Sequence, residues 1–161
     1  MTRILVAGVG NALRGDDGFG VAVMRELAHH PLGAEVTRRE YGIGGIHLVQ
    51  ELMRGYGALV LVDAVERGSA AGTLHLLEPQ VPALEEMAPA QRRDFLADMH
   101  WADPTRALIL AKALGVLPPR VLIVGCQPGE TEQVSLALSP AVAGAVPRAL
   151  HMIDQALERL R

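Results

Sequence analysis

The chain has 161 residues, a formal net charge of −3 and 50% hydrophobic residues, which suits one core-forming domain and excludes a disordered tract. The slight acidic balance argues against nucleic acid as a partner, and the lone Cys126 excludes both an intramolecular disulfide and a CxxC metal site. No run approaches the roughly 20 apolar residues of a membrane helix, and the amino terminus lacks signal-peptide grammar, so a cytoplasmic protein without membrane insertion is expected.

Ile4 to Gly8 is wholly apolar and climbs into a glycine turn, as a strand buried on both faces does. From Asp17 to His30, Phe19, Val23, Met24 and Leu27 recur at helical spacing. Ala34 to Glu40 reads as a second strand, and Gly44 to Arg54 as a second helix through Ile46, Val49, Leu52 and Met53. Ala58 to Val62 is the cleanest central strand and runs into Asp63; Thr73 to Leu77 is a weaker strand that suits an edge. Pro79 to Ala97 is the least regular stretch. Asp103 and Pro104 suit an N-cap and first turn, and the helix they open stops at Gly115. Arg120 to Gly125 is another buried strand, and Ser139-Pro140 opens a last helix reaching Arg161. The pattern predicts an α/β fold: three layers, a mainly parallel twisted sheet of about five strands, and helices on both faces, with residues 1–161 as one domain.

Ligands of such sheets sit beyond the carboxyl ends of the strands. Asp16 and Asp17 follow the first strand there, Asp63 follows the third, and His100 precedes the Asp103-Pro104 helix start. Two carboxylates and an imidazole can hold a divalent transition ion with coordination positions left open. Asp16 reads first as a helix cap. Asp17 fits a second dipole-stabilising acid as well as it fits a ligand. Asp63 ends an apolar run, where burial is costly without a partner, so it reads as functional. His100 has Met99 and Trp101 beside it, a partly apolar setting that suits a positioned ring. Gly42 to Gly45 can bring backbone close to a peptide or simply make a tight turn. Gln127 to Gln133 reads as a mobile loop near the site that could serve a partner or, preferably, as a plain solvated connection.

Other chemistries fit less well. Gly8 and Gly10 begin a dinucleotide fingerprint and Glu40 stands where a ribose-binding acid would, but Leu13 replaces the third glycine. A Rossmann-like nucleotide-binding module therefore remains as an alternative. Gly125-Cys126-Gln127-Pro128-Gly129 lacks nucleophile-elbow spacing, and Cys126 reads as a buried, inert thiol.

The run Gly8-Val9-Gly10-Asn11-Ala12-Leu13-Arg14-Gly15-Asp16-Asp17-Gly18-Phe19-Gly20 resembles the opening motif of the nickel–iron hydrogenase maturation endopeptidases. Gly42-Ile43-Gly44-Gly45, Leu61-Val62-Asp63-Ala64, His100, Gly125-Cys126-Gln127-Pro128 and Leu138-Ser139-Pro140 resemble that family's later motifs in order and spacing. The resemblance implies a hydrolase that removes the C-terminal extension of a hydrogenase large-subunit precursor after nickel insertion. It implies Asp17, Asp63 and His100 as the metal-recognising and catalytic set. Asp16, Gly42, Gly44 and Gly45 are weaker candidates for a substrate loop. The nickel would arrive with the substrate, and no organic cofactor is implied. A non-proteolytic nickel chaperone is a further alternative, against which the lack of a His-rich tract counts.

Overall fold

The computed structural model describes residues 1–97, 104–129 and 131–161. The sheet order is β2-β1-β3-β5-β4, with β1 Ile4–Val9, β2 Val36–Gly42, β3 Ala58–Ala64, β4 Leu74–Leu77 and β5 Arg120–Cys126. All pairings are parallel except β4 with β5, so the sheet is mixed. The connection from β3 to β4 carries no helix and is too short for a parallel crossover, which needs a dozen or more residues; β4 accordingly runs back antiparallel at the edge.

Alternation along the strands divides the core. Ile4, Val6, Val60, Val62, Leu122 and Val124 face α1 (Phe19–Leu27) and α5 (Pro140–Leu160). Leu5, Ala7, Val9, Leu59 and Leu61 face α2 (Gly45–Leu52) and α4 (Pro104–Ala113). Strands buried on both sides need unbroken apolar runs, which β1 has throughout and β3 has from Ala58 to Val62. β2 lies at the other edge and tolerates Thr-Arg-Arg-Glu.

Two expectations change. β3 extends past Val62 through Asp63 and Ala64, because β5 keeps pairing with it as far as Cys126. Within the irregular stretch stands a helix, α3 (Pro89–Ala97), whose only buried residue is Phe95, so it shows no apolar stripe to read. The Asp103 cap expected for α4, like His100, lies outside the described residues. Among the described residues no helix is long and apolar enough to cross a membrane.

Gly20 sets how closely α1 crosses the sheet. A Cβ there would lie 2.3 Å from the Val9 carbonyl oxygen and 2.4 Å from that of Val62. The helix therefore rests directly on the carboxyl ends of β1 and β3, the strands that deliver the candidate acids.

Candidate active site

The loop leaving β1 is built around Gly10, whose φ of 128° is open to glycine and strained for other residues. A Cβ at Gly10 would lie 2.1 Å from the Asp17 carbonyl oxygen and 3.5 Å from Asp63 Oδ1. The backbone of one acid and the carboxylate of the other thus close over the same glycine. Beyond Gly10, Asn11 N–H donates to Asp17 Oδ2 at 2.9 Å, and Asn11 Oδ1 accepts from Leu13 N–H at 2.9 Å. Asp17 sits half-buried in a 3-10 turn, Gly15–Gly18, ahead of α1.

Asp63 is 7% exposed and lines a cleft of about 240 Å³ with Glu66, Pro104 and Thr105. Glu66 Oε1 accepts from Gln127 Nε2 at 2.8 Å and from Gly68 N–H at 3.1 Å, which together hold this carboxyl below its ordinary range. A larger hollow of about 570 Å³ lies between Ala71–Leu74 and α5, with neither Asp17 nor Asp63 in its wall.

Asp16 does something else. It is 1% exposed and makes no cap on its own turn. Its Oδ1 accepts from Ser139 N–H at 2.7 Å, and its Oδ2 accepts from Ser139 Oγ–H at 2.8 Å and Gly129 N–H at 2.8 Å. Ser139 stands at the N-cap of α5 but spends its hydroxyl on Asp16. The carboxylate is turned into the protein, where it fastens the start of α5 and the exit of β5 to the first loop.

The connection after β5 is exposed at Gly129, Glu132 and Gln133, as expected of a solvated link, but its first residue is not. Gln127 is 3% exposed, and its Oε1 accepts from Arg67 N–H at 2.7 Å and Ser69 N–H at 3.3 Å. It thereby holds the loop that follows Asp63. Further on, Ser135 N–H donates to Leu13 O at 2.8 Å, Gly15 N–H to Ser135 O at 2.9 Å, and Arg14 Nε to Thr131 O at 3.0 Å. Sequence reasoning missed Gln127, and its only signal was a polar residue directly after a buried strand.

The glycine turn after β2 adjoins the same loop. Gly10 N–H donates to Gly42 O at 2.9 Å, Gly44 N–H returns to Tyr41 O at 2.8 Å, and buried Gly45 opens α2. Cys126 is fully buried, and burial, with the Asp16 charge adding to it, pushes its thiol up to about 11. Such a thiol is not an accessible nucleophile. The nucleotide alternative meets the Asp17 carboxylate in the turn before α1, where a pyrophosphate would need bare N–H groups. His100 lies outside the described residues, and among those described no three His, Cys, Asp or Glu side chains gather as a metal site.

The chain matches the family model described as hydrogenase maturation protease over residues 21–156. It is 34% identical to the hydrogenase expression/formation protein HupD of Rhodobacter capsulatus, over 99% of this chain and 71% of that protein. Its fold is similar to that of the hydrogenase maturating endopeptidase HybD from E. coli, with a TM-score of 0.77, 28% identity, and coverage of 98% of this chain and 93% of that one. A hydrogenase 2 maturation peptidase from a Thaumarchaeota archaeon gives a TM-score of 0.69 at 33% identity, covering 96% of this chain and 97% of that one. The chain belongs to the hydrogenase maturation protease family.

Proposed function

We propose that the protein is the endopeptidase that removes the C-terminal extension of a nickel–iron hydrogenase large-subunit precursor in the cytoplasm, after nickel has been inserted. In this reading Asp17, Asp63 and His100 meet the nickel that the substrate carries. The observation that carries it is the shared glycine: the Asp17 backbone and Asp63 Oδ1 lie against the same Gly10 position at the carboxyl edge of the sheet. Pro104 lines the Asp63 cleft, and His100 stands four positions before it in the sequence.

The chemistry is hydrolysis of one amide. Water adds to the scissile carbonyl, a carboxylate accepts its proton, and the proton passes to the departing amine as the C–N bond breaks. Substrate-borne nickel would polarise the carbonyl or the water. Asn11 N–H orients the Asp17 carboxylate, and the low exposure of Asp63 strengthens its attraction to a cation. An open acid–acid–imidazole set gains most of its binding when the partner brings the metal, so loaded precursor is preferred over empty. Gly42, Gly44 and Gly45 would approach the peptide backbone.

The test uses nickel-loaded precursor with Asp17→Asn, Asp63→Asn and His100→Ala. Each variant is expected to lose about a hundredfold or more in rate. Full processing by both Asp17→Asn and Asp63→Asn would refute the assignment.

A further inference from the structure

Nine large apolar side chains stand exposed among the described residues, and five of them border the Gly10 loop. Leu13 is 56% exposed, Val134 86% and Leu136 82% on one side; Ile43 is 58% and Ile46 39% on the other. Isolated exposed apolar residues are ordinary, whereas a grouped set beside a site is not.

The first group is held in shape. Ser135 is bonded through N–H to Leu13 O and through its own carbonyl to Gly15 N–H. Ser135 is half-buried, while Val134 and Leu136 on either side of it are exposed. The second group follows Gly42, whose carbonyl takes the Gly10 N–H. Beside the first group, Arg14 and Glu132 carry opposite charges and approach to 4.0 Å. The surface therefore suits an apolar partner rather than an acidic or basic one. Both segments are hydrogen-bonded to the loop that carries Asp17, so they border the place where a scissile amide would be presented. Their backbone is already tied down, so little ordering accompanies contact.

We propose that Leu13, Val134 and Leu136, with Ile43 and Ile46 across the Gly10 loop, are a docking surface for apolar residues of the large-subunit precursor flanking its cleaved bond. The proposal rests on the precursor being the substrate.

The experiment measures KM and kcat on nickel-loaded precursor by product mass, for the wild type, Leu13→Asp and the double variant Val134→Asp/Leu136→Asp. Met53→Asp is the control: Met53 is 63% exposed and stands at the opposite end of the sheet, beside Arg54, whose carbonyl binds Arg3. The double variant should raise KM about tenfold or more with the loss falling on KM rather than kcat, while Met53→Asp stays within about twofold of wild type. Val134→Ser/Leu136→Ser, a milder change, should raise KM about threefold. Cleavage by the wild type with unchanged KM in both double variants overturns the docking surface alone. A wild-type dimer in sedimentation that Val134→Asp/Leu136→Asp dissociates would make a second copy the occupant and overturn it too. A wild type that does not cut loaded precursor removes this proposal together with the proposed function.

Discussion

Asp16 and Ser139, 123 positions apart, are joined by two hydrogen bonds, at 2.7 Å from the Ser139 N–H and 2.8 Å from its hydroxyl. The bond pair ties the loop after β1 to the first turn of α5, and Gly129 N–H adds a third strut to the same carboxylate. The acid beside it, Asp17, is left facing the Gly10 loop. Two adjacent aspartates thus divide into one that fixes the frame and one that the frame presents.

Replacing Asp16 with Ala strips the partner from three donors at a buried position. Unfolding free energy should fall by about 3 kcal/mol, and the melting temperature by roughly 8 °C. Ser139→Ala removes only the hydroxyl bond and should cost about 1 kcal/mol. Urea titrations of both single variants and the double variant measure the coupling. Strict additivity would show that the bonds do not act as a unit.

Gly10→Ala is expected to damage the site more than a surface glycine change would. The new Cβ meets the Asp17 carbonyl at 2.1 Å and requires an L residue at φ 128°. The expected loss is about 2 kcal/mol of stability, with activity falling at least about tenfold because Asp17 must move. A variant with wild-type rate at temperatures where it is folded would contradict the shared-glycine geometry.

Gln127→Ala should release the loop beyond Asp63 while sparing β4. The side-chain amide serves Arg67, Ser69 and Glu66, whereas backbone bonds of residue 127 to Gly72 and Thr73 persist in the variant. Hydrogen exchange at the Arg67 and Ser69 amides should accelerate about tenfold or more, with the Gly72 amide still protected. Equal acceleration at all three would mean that the side chain holds the whole edge.

Cys126 makes stability pH-dependent on the alkaline side. Its folded pKa is raised from 9.0 to about 11, chiefly by burial and then by Asp16. Its contribution is therefore complete below pH 9 and is lost as pH rises through 11, since the unfolded thiol ionises first. Across that range the wild-type urea midpoint should fall more steeply than that of Cys126→Ala. Alkylation by iodoacetamide at pH 8 should follow unfolding rather than precede it.

What the sequence reveals follows from where each residue's partners lie. β1 and β3 are legible because burial on both faces demands unbroken apolar runs, and Asp63 is legible as the acid that interrupts one. Asp16 and Asp17 are not separable that way, because the difference between them is a serine far along the chain. Gln127 is hidden for the same reason, since its acceptor meets backbone N–H groups about sixty residues earlier, which no motif encodes. α3 escapes because a helix burying only Phe95 carries no period to detect. Gly42 is legible as a turn, but its role in taking the Gly10 N–H needs the third dimension.

The most direct test of the account is the mass of the large-subunit precursor after incubation with the purified protein, with and without inserted nickel. One C-terminal peptide should be lost from the nickel-loaded precursor and none from the empty one. Equal cleavage of both, or cleavage of neither, would contradict it.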